Sequence, residues 1–367
     1  MPASASEPLA ERLEIAMNRT WSGRGPLSTL LLPIAWLFEA GTAVRRRLYE
    51  RVTRETARLP VPVIVVGNLI VGGAGKTPTV LAVVELLRRH GYTPGVVSRG
   101  YGRFGDEIVT VSPDSSADRV GDEPLLIQRR SGAPVVVGAD RVAAGHALLA
   151  FDPSVDVVVS DDGLQHLALD RDVEVLVFDE RGAGNRRLLP AGPLRERLPR
   201  ATSARQLVLY NAPEATTPLR GFVARRTLAG IVPLADWWAG ARPDGDSLAA
   251  LVGKDIVAVA GLAQPSRFFA MLREHGLHIR ELPLPDHADF ATLPWLASAT
   301  DVVVTEKDAV KLPPSRRMGT RVWVARLDFA PEAAFDAALL ALLPPPPSSA
   351  ATGPSPTNRL PHGNASA

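Results

Sequence analysis

From residue 61 onward, short β-branched runs alternate with amphipathic stretches, and this alternation sets the expected architecture. Residues 61–67 (VPVIVVG) read as a buried parallel strand. Strands covered on both faces carry near-continuous Val and Ile rather than a polar alternation. Further strands are expected at 95–98, 107–112, 134–138, 155–160, 173–178 and 206–210. Helices are expected from Thr77 to His90 and at 122–130 and 140–150. Strands interleaved with helices predict an α/β fold with a doubly wound, mostly parallel sheet. Residues 212–250, with Pro213, Pro218, Pro233 and Pro243, are poorer in pattern and read as a connector. A second, smaller α/β unit begins at 256–261 (IVAVAG), with a helix near 265–275 and strands at 301–304 and 321–325. Beyond Leu343, proline, serine and small residues dominate. Such a tail cannot bury a core and is expected to be disordered.

Before this pattern lies an apolar run of 18 residues, Leu27 to Val44. As a helix it spans about 27 Å, short of the roughly 30 Å hydrocarbon core of a bilayer. Glu39 in its middle is costly in lipid. Arg19 and Arg24 precede it; Arg45, Arg46, Arg47, Arg51, Arg54 and Arg58 follow. It lacks the extreme N-terminal position and small-residue cleavage site of a signal peptide. It reads as a helix on, or partly inserted into, a membrane surface, its arginines meeting anionic headgroups. The alternative is a buried core helix. The expected organisation is a membrane-associated helical segment (1–59), a nucleotide-binding domain (60–220), a connector (221–250), a smaller α/β domain (251–343) and a tail (344–367).

Composition narrows the chemistry. The chain has 367 residues, enough for two domains at roughly 100–200 residues each. It has no cysteine, which removes disulfides, zinc–thiolate sites, iron–sulfur clusters and thiol nucleophiles. A net charge of +2 argues against a nucleic-acid binder, and nothing calls for an obligate protein partner. Of 41 basic residues only Lys76, Lys254, Lys307 and Lys311 are lysine. Base composition explains the bias, but against it a lysine marks a position where a compact ammonium serves better than a planar guanidinium.

The strongest motif follows the first strand: Ile70-Val71-Gly72-Gly73-Ala74-Gly75-Lys76-Thr77. Strand, glycine-rich turn and helix in that order make a P-loop, whose backbone N–H groups close around phosphate oxygens at a helix N-terminus. Lys76 would reach the β- and γ-phosphates, and Thr77 would ligate Mg²⁺. The usual first glycine falls on Ile70. A P-loop also needs an acidic partner at a strand end, and Asp161-Asp162 follows the run 155–160. Either aspartate can hold the metal; an ordinary Asp-Asp-Gly turn is the plainer reading.

Six ordered segments then identify a relationship: VGNLIVGGAGKTP (66–78), VSRGYGR (97–103), GDEPLLI (121–127), DDGLQH (161–166), LPAGPLRE (189–196) and TEKDAVKL (305–312). Together they resemble the tetraacyldisaccharide 4'-kinases, the lipid A 4'-kinases of bacteria with an outer membrane. The resemblance spans about residues 12–343, and the missing first P-loop glycine is usual in that family. It implies a P-loop NTPase-like kinase domain and a smaller C-terminal α/β domain. It further implies transfer of the γ-phosphoryl of ATP to the 4'-hydroxyl of an acylated glucosamine disaccharide 1-phosphate, at the cytoplasmic face of the inner membrane. The cofactors implied are ATP and Mg²⁺, bound through Gly72, Gly73, Ala74, Gly75, Lys76 and Thr77.

The same resemblance assigns roles that spacing alone does not. Asp161 and Glu196 become metal candidates beside Thr77. Asp122, by itself an acidic helix start, becomes the base, paired with His287 of Asp286-His287-Ala288-Asp289-Phe290. Asp162 joins the catalytic set. Arg99, Gln165 and His166 are expected at the acceptor. Thr305, Glu306 and Lys307 follow a strand and are expected near the nucleotide or the domain interface. Two other readings compete: a membrane-associated P-loop ATPase serving a partner protein, and a nucleotide-sensing adaptor. Neither needs an acceptor-side base.

Overall fold

A computed structural model describes residues 17, 20–51, 56–243, 245–313 and 319–347. Arg19, Arg54 and most of the C-terminal tail therefore lie outside the described residues. Among these, the strands form one twelve-stranded sheet in the order β10-β9-β11-β12-β8-β7-β6-β1-β5-β2-β4-β3. In the first half, β1 (Val63–Gly67), β2 (Pro94–Ser98), β3 (Val109–Val111), β4 (Val135–Val137), β5 (Val157–Asp161), β6 (Val173–Asp179) and β7 (Gln206–Asn211) are parallel apart from the edge pair β3–β4. β1, β2, β4 and β5 are buried along their whole length, in keeping with the valine-rich run at the centre of each. On one side of β1 lie β5, β2, β4 and β3 in that spatial order, the chain returning to β5 between β1 and β2; on the other side lie β6 and β7. The C-terminal end of β1 is thus a switch point, where open α/β sheets place their ligands.

The stretch expected as a connector contains the longest strand, β8 (Phe222–Pro233). Its first residues pair with β7 and its remainder runs antiparallel to β12 (Arg321–Pro331), so it both links the halves and joins the sheet. Arg225, Arg226, Thr227 and Gly230 interrupt the apolar pattern, and this hid the strand from periodicity. The second half adds β9 (Ile256–Ala260), β10 (Ile279–Pro283) and β11 (Asp301–Thr305), all parallel with β12. β10 was not expected, because its Arg280 and Glu281 face solvent at the sheet edge.

The N-terminal apolar run forms two helices, Pro26–Leu30 and α1 (Leu32–Arg51). Among the described residues no helix is long and apolar enough to cross a membrane. One face of α1 packs Ala35 and Phe38 on the first half, while Ile34, Trp36, Leu37, Val44 and Leu48 remain exposed. The run is therefore neither a core helix nor a span. Polar contacts fix the segment to the loop before Glu196. Trp21 Nε1 donates to the carbonyl of Pro190 at 3.0 Å, and Asn185 Nδ2 to Ser28 Oγ at 2.9 Å.

The halves meet along α3 (Asp122–Ser131), which follows α2 (Lys76–Arg89) and precedes α4 (Arg141–Phe151). Arg130 donates to Glu306 at 2.8 Å and to the Leu327 carbonyl at 2.9 Å. Arg129 stacks on Trp238 at 4.0 Å and donates to its carbonyl at 2.6 Å. Burial pushes the Glu306 carboxyl up against the opposing pull of Arg130. Arg130→Met leaves that buried carboxylate without its counter-ion, held only by the Trp237 Nε1 donor at 3.3 Å, at an expected cost of about 3 kcal/mol. The cost falls as pH drops and Glu306 protonates. Urea unfolding of Arg130→Met and Arg130→Met/Glu306→Gln checks this; equal losses at every pH would remove Glu306 as the cause.

Candidate active site

The P-loop is held by two asparagines that the sequence reading did not single out. Asn68, just past β1, donates to the Gly72 carbonyl at 2.8 Å and accepts from Lys76 Nζ at 3.4 Å. Asn211, ending β7, donates to the Ala74 carbonyl at 3.3 Å. Gly75 opens α2 at φ +96°, and a Cβ there would stand 2.4 Å from Asn211 Nδ2. Glycine is thus required by both the backbone and its neighbour. Arg181, paired to Asp179 at 2.8 Å, donates to the Gly73 carbonyl at 2.8 Å. Ile70, in place of the usual glycine, is buried and bridges Leu194, and Val71 N–H donates to Pro193. The loop's first residue is spent on packing against the 189–196 segment.

Asp161 is the last residue of β5, level with Val66 of β1. It is buried, and Ser98 Oγ donates to its Oδ2 at 3.0 Å. Its Oδ1 is buried without a hydrogen-bond partner. Burial, with the charges of Glu123 and Asp162, pushes its carboxyl up to about 7 against Lys76 and Ser98. Such an unsatisfied carboxylate beside a P-loop fits a divalent cation. Asp162, at φ +49°, lies 3.6 Å from Lys76 Nζ and 3.5 Å from Arg195.

Glu196 is engaged by other side chains. It pairs with Arg46 of α1 and accepts from Gln165 at 3.3 Å. Among the described residues no three His, Cys, Asp or Glu side chains converge as a metal site. Gln165 also donates to the Asn68 carbonyl at 3.4 Å, so it joins the P-loop to Glu196. His166 turns toward α4, with Nε2 3.8 Å from Asp140, and burial lowers its pKa. Arg99 is exposed after β2, and its charge is felt by Arg141.

Two clefts flank α3. One is lined by Gly73, Lys76 and Thr77 on the P-loop side and by Arg226, Arg267 and Lys307 from the second half. The other is lined by Tyr101, Phe104, Trp238, His287 and Lys311. Three pairs of near neighbours divide between them. Glu123, Asp286 and Lys307 face the first cleft; Asp122, His287 and Lys311 face the second. His287 Nδ1 lies 2.9 Å from Asp122 Oδ2, and Lys307 Nζ lies 2.8 Å from Asp286 and 3.1 Å from Glu123. Burial opposes the Asp122 charge, but the His287 hydrogen bond and the ammonium groups of Lys307 and Lys311 outweigh it and hold the carboxyl well below the usual range. Burial likewise opposes the Lys307 charge, and Glu123 and Asp286 reverse its effect. The Asp122–His287 pairing is the decisive observation, because residues 165 positions apart meet in the wall between a P-loop cleft and a second cleft.

A family model described as tetraacyldisaccharide-1-P 4'-kinase matches residues 27–344. The chain belongs to that family. It is 56% identical over 344 residues to the tetraacyldisaccharide 4'-kinase of Methylibium petroleiphilum, covering 92% of this chain and 96% of that protein. It is 56% identical over 339 residues to that of Leptothrix cholodnii, covering 91% and 97%. A crystal structure of LpxK from Aquifex aeolicus in complex with ATP, called its apo form, superposes with a TM-score of 0.70 at 28% identity, covering 86% of this chain and 99% of that one.

Asp161 supplies a pH test. Its folded carboxyl is raised from 3.8 to about 7, so the stability of the metal-free chain falls as pH rises through that window. Asp161→Asn is expected to stabilise the metal-free protein by on the order of 2 kcal/mol above the window, and by little below it. Thermal melts in chelator across pH check this; an Asn variant less stable at pH 8 would contradict it.

Proposed function

We propose that the P-loop cleft holds ATP with Mg²⁺, and that Asp122 and His287 prepare the acceptor hydroxyl in the neighbouring cleft. The chain is a tetraacyldisaccharide 4'-kinase of lipid A biosynthesis. It transfers the γ-phosphoryl of ATP to the 4'-hydroxyl of tetraacyldisaccharide 1-phosphate, giving the 1,4'-bisphosphorylated lipid. The Asp122–His287 pair carries the reading of the site. An ATPase serving a partner protein would leave that pair without a task.

Residues 60–220 supply the phosphate cradle and 251–343 supply His287, with 221–250 between them. Backbone N–H groups of Gly72 to Gly75 and the Lys76 ammonium would bind the phosphates. Leu81, Leu126, Leu327 and Phe329 offer an apolar wall in the same cleft. Thr77 and Asp161 would hold Mg²⁺, which when bound neutralises charge on the phosphate oxygens. Glu196 would join them only by exchanging Arg46 for the ion. Asp162, beside Lys76, would orient the ammonium. The resemblance implies Asp122 as the base; with His287 Nδ1 already on its Oδ2, we instead assign Asp122 to accept that proton and fix the ring, leaving Nε2 to take the hydroxyl proton. Because Asp122 is held well below the usual range, it remains the acceptor through the transfer. Arg99, Gln165 and His166 would bound the acceptor, Arg99 by meeting its phosphate. The exposed Ile34, Trp36, Leu37 and Leu48 with Arg45 and Arg47 would rest on the cytoplasmic face of the inner membrane, bringing the enzyme to a substrate anchored by four acyl chains. We assign no nucleic-acid or obligate protein partner.

Lys76→Ala is expected to abolish turnover, and His287→Ala to lower kcat by about 10²–10⁴ with ATP affinity retained. Purified protein, Mg-ATP and the lipid acceptor in detergent micelles give the readout. Failure to form the bisphosphorylated product with the unmodified chain would refute the kinase reading. For the membrane contact, Trp36→Glu/Leu37→Glu is expected to lose co-sedimentation with anionic vesicles while keeping its melting temperature. Undiminished binding would remove α1 from the membrane contact.

A further inference from the structure

Lys311 is one of only four lysines, and the proposed reaction gives it no task. It sits just past the short helix Glu306–Ala309, where Nζ lies 3.4 Å from Asp122 Oδ2. That is the same carboxylate oxygen that meets His287 Nδ1. Nζ is also 3.8 Å from Asp308 Oδ1 and 5.8 Å from the centre of the Phe290 ring. It is buried and makes no hydrogen bond. Asp308 is itself fixed, accepting from Gly261 N–H at 3.0 Å and Thr305 Oγ1 at 2.8 Å. The ammonium therefore stands between a carboxylate of the first half and one of the second, as a charge rather than as a donor. A buried point charge at this distance suits lysine; a guanidinium fork would seek in-plane acceptors.

We propose that Lys311 is a positioning residue that sets the pH range of the Asp122–His287 pair. The proposal rests on that pair being the proton acceptor. The titratable and charged groups around the pair are Tyr101, whose ring lies 5.2 Å from that of His287, Asp114, Asp118 and Asp289 lining the same cleft, Glu123 and Asp286 on the side of the P-loop cleft, and Lys307, Asp308 and Lys311 from the segment after β11. Lys307 is already balanced by Glu123 and Asp286, at 3.1 and 2.8 Å. Lys311 is the cation in direct reach of Asp122. Its charge favours ionised Asp122 and disfavours an imidazolium beside it, and both effects keep the pair ready to accept a proton at lower pH. Without it, the protonated and inactive form persists to higher pH.

The test is the pH dependence of kcat/KM for the lipid acceptor at saturating Mg-ATP. Lys311→Met is expected to move the acidic limb upward by about one pH unit or more, with KM for ATP changed less than threefold. Lys311→Arg keeps the charge and is expected to leave the limb within a few tenths of a unit of the parent. A loss of kcat in Lys311→Met with an unmoved limb overturns the proposal, as does an equal shift in both variants. Should Lys311→Met not fold, Lys311→Gln against Lys311→Arg gives the same comparison, and an equal limb in those two overturns it. Inactivity of the unmodified chain on the lipid would instead strike the kinase reading itself.

Discussion

Charge pairing along one ten-residue helix, Asp122–Ser131, determines how the two halves of the molecule sit. At its start Asp122 meets His287 and Lys311, and Glu123 meets Lys307. At its end Arg129 stacks on Trp238, and Arg130 holds Glu306 and the Leu327 carbonyl. Every one of these partners comes from beyond residue 230. Buried charges are costly unless paired, and here the pairing is complete only when the halves are in contact. The seam is therefore the structural joint and, under the proposed function, the place where the chemistry is assembled. On that reading, splitting the Asp122–His287 pair across it would make proton acceptance conditional on the halves being together, a condition that would limit futile hydrolysis of ATP.

The N-terminal helix is tied to the same centre by a chain of polar contacts. Arg46 of α1 holds Glu196, Glu196 accepts from Gln165, and Gln165 reaches Asn68, which supports both Gly72 and Lys76. A second pair, Arg197 and Glu39, fixes the helix just past the 189–196 segment. Glu39, costly in a hydrocarbon interior, finds its partner in the protein and leaves the opposite face of the helix apolar. That division explains how one segment carries both a central carboxylate and, on its far side, exposed Leu37, Val44 and Leu48.

Local sequence determined the strands, the glycine turn and the Lys76-Thr77 pair, because their patterns are set by backbone geometry and by burial on both faces of a parallel sheet. It likewise exposed Asp161 at a strand end and the family's ordered segments. Strand β8 escaped, since its arginines serve a cleft and the seam and so break the apolar alternation. Edge strand β10 escaped because an edge need not be apolar. Asn68 and Asn211 carried no signal of their own; their importance comes from carbonyls that only the folded P-loop presents to them. Glu196 was legible as part of a motif, but its engagement with Arg46 arises from contact across 150 positions of chain.

The sequence by itself thus decided the class of fold, the phosphate-binding turn and the family, all of which depend on residues close together in the chain. Only the tertiary structure decided which charges face one another. Asp122 and His287, Glu123 and Lys307, and Lys311 between two carboxylates are pairings made where the two halves meet along α3. Electrostatic interaction depends on distance in space and on burial, and neither can be read from spacing in a sequence.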